Sequence, residues 1–267
     1  MQAVQCIITN QVHQKSQSIA CAFILMSRRR ASDYELVFRA LIELIGPNYN
    51  LDRIMLDFEA ASWTAIRKLQ QNGVINRQIT IDGCHFHYSQ CIVRKIKKIG
   101  GGLIQLYNAR GPINHFCRKI MALALVPNTR IGEAFEYLQV TVIQIANQDE
   151  VLRGQLQQLL DYVLGTWING PMFQHKDWCM YMIYVRTNNH LEGSHSLSTD
   201  KSSKAATARN EELKRIWALY EAGRIRDAIE LLDELTKQLE GPNPNIVDLY
   251  ADPDDVDSDD VDDPQEQ

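Results

Sequence analysis

No apolar run in this chain comes near the ~20 residues that a membrane span needs; residues 19–26 are typical of the longest. The opening residues lack the form of a secretory signal, because a polar stretch at 11–18 follows one short apolar run. The six cysteines, Cys6, Cys21, Cys84, Cys91, Cys117 and Cys179, show no paired spacing. That excludes a disulfide-stapled scaffold and fits an intracellular, reducing setting. Gly100-Gly101-Gly102 lacks the context of a phosphate-binding or dinucleotide-binding loop, and no Ser-His-Asp or Cys-His nucleophile has a local signature. Residues 248–267 hold ten acids and no base.

That last imbalance hides a second. Over all 267 residues the formal charge is -5, from 28 basic and 33 acidic residues. Without the ten acids of the tail, 28 basic residues face 23 acidic ones, and the body carries +5. Such asymmetry points to a polyanion-binding surface or an interaction tail. Hydrophobic residues make up 45% of the chain, enough to bury one large core or two modest ones, so global disorder is excluded.

Periodicity sets the expected elements. Val4-Gln5-Cys6-Ile7-Ile8 and residues 19–25 are β-forming runs around a polar turn, and read as a hairpin. A helix follows, with Ser32 as N-cap, Glu35 as its capping-box partner, and Tyr34, Val37, Phe38, Leu41, Ile42 and Ile45 as its apolar stripe. Arg53-Ile54-Met55-Leu56-Asp57 reads as a strand, residues 59–71 as a helix, residues 78–84 as a strand and residues 88–98 as a helix. The order β-β-α-β-α-β-α predicts a mixed sheet with helices packed on it. Residues 113–126, 132–146 and 151–167 are helical in period, and residues 194–209 read as a loop or weak helix. Residues 211–240 form a two-helix hairpin broken at Ala222-Gly223, with Leu213, Trp217, Tyr220, Ile225, Ile229, Leu232 and Leu235 inward. The acidic tail is expected to be disordered.

Three places carry candidate chemistry. Asp57 ends a short apolar strand, where ligands of open α/β sheets gather; it also stands where an N-cap of the next helix would stand. Cys84 and His87 have C-x-x-H spacing with His85 between them. Zinc would need a third or fourth ligand such as Cys91, Cys117, His115 or Cys179; otherwise Cys84 is a buried thiol with hydrogen-bonded histidines nearby. Residues 186–195 are dense in polar groups, and Glu192 and His195 share a helix face. Basic residues gather at Arg28-Arg29-Arg30, at Arg94, Lys95, Lys97 and Lys98, and at Arg118-Lys119, as phosphate binding needs and as any solvated face also allows.

Taken in order, Tyr34-Glu35-x-x-Phe38-x-x-Leu41, Arg53-Ile54-Met55-Leu56-Asp57-Phe58-Glu59-x-Ala61, Gly83-Cys84-His85-Phe86-His87-Tyr88-x-Gln90, Ala122-Leu123-Ala124-x-x-Pro127 and Arg186-x-Asn188-Asn189-x-x-Glu192 resemble the transposase domain of Mutator-like elements over about residues 1–197. The resemblance implies a ribonuclease-H-like fold with an all-helical insertion, and metal-dependent cutting and joining of DNA at transposon ends in the nucleus. It implies a partial core over residues 1–110, the insertion over 111–185 and a return to the core over 186–197. The hairpin over 210–241 and the tail over 242–267 follow. By motif, Asp57 corresponds to the second acid of a DDE triad and Glu192 to the third. Such carboxylates would hold Mg²⁺ or Mn²⁺, two ions activating the nucleophile and stabilising the leaving oxygen. Cys84 and His87 match the family's C-x-x-H signature, with zinc there an open question. Arg94, Lys95, Lys97 and Lys98 are then the expected DNA contacts.

The departure lies at the first acid. The family carries it in an Asp-Gly-Thr-Phe-like strand, and no such motif occurs in this chain. Asp33 at a helix start and Asp52 in a turn do not replace it. The expectation is therefore a sheet without its first strand, open at an edge and inactive alone. An oligomer or a partner strand would close that edge. The other expectation is a host-adopted, non-enzymatic module that binds DNA or protein through its basic body, with the helical hairpin and the acidic tail as interaction elements.

Overall fold

The computed structural model describes residues 2–10, 15–46, 51–183 and 201–239. They are mixed α/β and mostly helical, and they divide at Phe86 and His87 into two units.

In the first unit β1 (Gln2–Asn10) and β2 (Lys15–Ile24) form an antiparallel hairpin with a bulge at Val4/Gln5. Next come α1 (Ala31–Ile45), β3 (Arg53–Leu56), α2 (Ala60–Gln71) and β4 (Thr80–Gly83). Among the described residues the strands make two separate two-stranded sheets, the hairpin and a parallel β3–β4 pair. The cap of α1 is not Ser32 with Glu35. It is Arg30 with Asp33, two residues earlier, where the Asp33 carboxylate takes the Arg30 amide at 3.2 Å and the guanidinium at 3.1 Å. That guanidinium holds the Asp33 carboxyl below its usual range. Glu35 instead takes Lys68 at 2.6 Å and Arg39 at 2.9 Å, which ties α1 to α2.

The apolar face of the parallel pair makes the core of this unit. Ile54, Leu56 and Ile81 pack with Phe38 and Ile42 of α1 and with buried Ile66, Leu69, Ile75 and Ile79. Gly83 is required by its neighbour, since a Cβ there would stand 2.0 Å from the Phe58 ring. That ring is stacked at 6.1 Å on Trp63, a fully buried side chain over which Arg67 lies at 4.9 Å.

The second unit is helical: α3 (His85–Ile99, whose first residues still belong to the first unit), α4 (Leu103–Asn108), α5 (Pro112–Ala122), α6 (Ile131–Ala146), α7 (Glu150–Val163), α8 (His175–Trp178), α9 (Lys201–Glu221) and α10 (Ala228–Leu239). Helix α3 starts three residues before the periodicity suggests, so His85 and His87 lie on its first turn. The stretch read as a loop or weak helix is helical from Lys201. Helix α7 runs into a π turn at Leu164–Ile168. Beside it Tyr88 stacks on Trp178 at 5.2 Å, and the Trp178 indole donates to the Trp167 carbonyl at 3.0 Å. Of the expected inward face of the α9–α10 hairpin, Leu213, Trp217, Ile225, Leu232 and Leu235 are buried, while Tyr220 and Ile229 are half-buried. The Trp217 indole donates to the Leu125 carbonyl at 3.0 Å, which anchors α9. The acidic tail lies outside the described residues.

Two glycines separate close packing from helix propensity. Gly83→Ala forces the Phe58 ring off Trp63 and should cost about 1–3 kcal/mol of stability. Gly154→Ala, inside α7 with open space around it, should add about 0.5–1 kcal/mol. Urea midpoints of the two variants against the parent chain check both signs.

Candidate functional site

Strand β3 is short because its apolar Ile-Met-Leu run ends at Asp57. Its pairing with β4 is parallel, with Met55 opposite Asp82 and Leu56 opposite Gly83. The ladder extends at both ends, from the Thr80 amide to the Asp52 carbonyl at 3.0 Å and from the Cys84 amide to the Leu56 carbonyl at 2.8 Å. Asp57 and Cys84 therefore follow side by side at the carboxyl ends of adjacent strands, where ligands of open α/β sheets bind.

Alternation assigns the faces. Ile54, Leu56 and Ile81 point into the core, so Arg53, Met55, Asp57, Asp82 and Cys84 share the opposite face. A 2.9 Å ion pair from the Arg53 guanidinium to Asp82 confirms it. Asp82 is a residue the sequence reading passed over. It is 2% exposed, and a buried carboxylate needs a partner. The signal in sequence was an acid inside an apolar strand with an arginine two register positions away on the neighbouring strand.

The alternative of Asp57 as a helix cap is not what the chain does. The N-cap of α2 is Glu59, whose carbonyl accepts the Ser62 and Trp63 amides at 3.1 and 3.3 Å. The Glu59 carboxylate is held by the Tyr34 hydroxyl at 2.6 Å. Asp57 enters through its backbone, its carbonyl accepting the Trp63 indole N–H at 2.7 Å. Its carboxylate, half-exposed, makes no hydrogen bond or ion pair among the described residues. The main chain at Asp57 is thus clamped from behind while the charged group is left uncommitted.

Cys84 is fully buried and His87 lies on the first turn of α3. Among the described residues no three His, Cys, Asp or Glu side chains gather as a metal group. The thiols raised as further ligands have other roles: Cys179 donates to the Val126 carbonyl at 3.3 Å, and burial pushes the Cys117 thiol up to about 12, which keeps it protonated. Of the expected DNA contacts on α3, Lys98 is exposed, while Arg94, Lys95 and Lys97 are half-buried. The Lys95 ammonium sits 5.0 Å over the Tyr162 ring. Arg118 and Lys119, read as a surface basic pair, are instead buried. Arg118 donates to Asn114 at 2.7 Å, and Lys119 pairs with Asp233 at 2.5 Å and lies over the Tyr137 ring. Glu192, with the rest of the polar stretch at 186–195, lies outside the described residues. Among those described, no helix is long and apolar enough to cross a membrane.

The two roles of Asp57 differ in stability. A lost N-cap costs about 1 kcal/mol, whereas removing an uncommitted carboxylate changes stability by no more than about 0.5 kcal/mol. Asp57→Ala should therefore leave the denaturation midpoint nearly unmoved. Compared with known proteins, the chain matches no family model, no curated protein and no solved structure.

Proposed function

We propose that this chain is related to the transposase domain of Mutator-like elements and that it binds DNA but does not cut it alone. The observation that carries the reading is Asp57: a carboxylate without a partner among the described residues, on a clamped backbone, at the carboxyl end of a parallel strand. Its place in a β-β-α-β-α-β-α order fits a ribonuclease-H-like sheet. The described strands form two separate two-stranded sheets, where that reading expects one mixed sheet.

Magnesium or manganese takes carboxylate oxygens, and Asp57 offers them. Asp82, on the same face, is engaged by Arg53. Among the described residues the donors thus stop at one uncommitted carboxylate on this face, and they do not fit a site for two ions. Glu192 is the candidate to add a second donor, and the motif-borne first acid does not occur in the chain. Incomplete ligation is the physical reason for inactivity. Binding would rest on the +5 body, through Lys98, the half-buried bases of α3 and the exposed Arg28 and Arg29. Work on transposon ends would place the protein in the nucleus.

Two assays on the purified chain test this. Fluorescence anisotropy with a labelled duplex should show affinity that falls steeply between 50 and 200 mM salt, on the order of ten-fold for each phosphate contact or two. No binding at low salt sinks every nucleic-acid role. Supercoiled plasmid with Mn²⁺ should stay intact, and nicking that Asp57→Ala abolishes would overturn the claim of inactivity.

A further inference from the structure

Among the described residues no strand covers the outer edge of β3 or of β4. The β4 amides of Thr80 and Cys84 bond the carbonyls of Asp52 and Leu56, so residues 52, 54 and 56 direct their peptide groups at β4. By alternation the N–H and C=O groups of Arg53, Met55 and Asp57 point away from it. No strand covers them among the described residues. Burial separates the two strands at their carboxyl ends: Asp82 and Gly83 of β4 are buried opposite half-buried Met55 and Leu56, while Thr80 and Arg53 are both exposed and Ile81 and Ile54 both half-buried. Apolar residues of a parallel strand are normally covered on both faces, and a bare edge is a template for another strand.

Side chains decide which strand fits. In an antiparallel pairing of β3 with the β3 of a second copy, centred on Met55, Arg53 stands directly opposite Asp57 on one face, twice by symmetry. Met55 meets its own counterpart between them. On the other face Ile54 stands opposite Leu56, again twice. Every cross-strand pair is complementary, two of opposite charge and the rest apolar. The alternatives are penalised. A parallel pairing sets Arg53 beside Arg53 and Asp57 beside Asp57, and a shift by two residues takes Asp57 off Arg53 and sets it against Leu51 or Met55. The Arg53 guanidinium has five N–H donors in its fork, so its bond to Asp82 at 2.9 Å leaves donors for a second carboxylate. The backbone adds to this. Met55 exchanges two hydrogen bonds with its counterpart, and each Asp57 amide reaches an Arg53 carbonyl. The Asp57 carbonyl already serves Trp63.

We propose that two copies of this chain associate through β3, forming a continuous sheet in the order β4-β3-β3-β4. The contact is isologous, so it closes at a dimer and does not propagate. Charge complementarity selects a second copy as the occupant over an unrelated strand. The inference rests on strand register; it engages the same Asp57 carboxylate that the proposed function offers to a divalent ion, so the two compete for that group, and its test needs neither metal nor DNA.

The test is light scattering on the eluting full-length chain at tens of micromolar. The parent should run at twice its 30.6 kDa. Asp57→Arg, which sets arginine opposite Arg53, should weaken association at least about ten-fold. Met55→Pro removes an amide that β4 does not use and should give monomer, whereas Met55→Leu should leave the dimer in place. High salt should dissociate the parent more readily than the Asp57→Asn variant, whose opposite-charge pairs are gone. A monomeric parent overturns the proposal. So does a dimer that both Asp57→Arg, shown folded by circular dichroism, and Met55→Pro leave intact, since such a dimer pairs elsewhere.

Discussion

Among the described residues strand β3 is hydrogen-bonded to another strand along one edge only, and other features of the first unit answer to that. A four-residue strand with a single partner cannot fix its own carboxyl end. The chain fixes it from behind, through the Trp63 indole on the Asp57 carbonyl and the Tyr34 hydroxyl on Glu59. Phe58, between the two, is wedged over Gly83 and stacked on Trp63. Three consecutive residues are thereby positioned by contacts that leave only the Asp57 carboxylate unspoken for. Because α2 is capped at Glu59, its first turn does not draw on that carboxylate.

The face of the sheet that carries Asp57 is electrostatically divided. At its amino end Arg53 neutralises buried Asp82. At its carboxyl end Asp57 is left with solvent. Breaking the first pair would strand a buried charge, which is costly; altering Asp57 would not. The two carboxylates therefore differ in kind, one structural and one available, although they stand on neighbouring strands of one face. In the second unit the same logic removes two expected surface bases. Lys119 is held by Asp233 and the Tyr137 ring and Arg118 by Asn114, so their charges serve the packing of α5 on α6 and α10.

The order of the elements up to α3 and most of the inward face of the α9–α10 hairpin were legible in the sequence, whereas of the stripe read on α1 only Tyr34 is buried and Ile45 is exposed. What was not legible depends on contacts between distant positions or on atypical local chemistry. Arginine is an unusual N-cap, so the start of α1 was placed two residues late. The distinction between a capping and a free Asp57 turns on Trp63, whose indole is a tertiary contact with no local signature. The burial of Lys119 depends on Asp233, far along the chain and on another helix. The early start of α3 puts His85 and His87 on a helical turn, which residue spacing alone does not reveal.

The central claim is that Asp57 is an available carboxylate on a fixed backbone, fit to ligate a divalent ion weakly without completing a site. Electron paramagnetic resonance of Mn²⁺ titrated into the purified chain tests it most directly. The account predicts weak binding that disappears in Asp57→Asn while the fold is unchanged. Mn²⁺ binding that is the same in the parent and in Asp57→Asn, or absent from both, would contradict it.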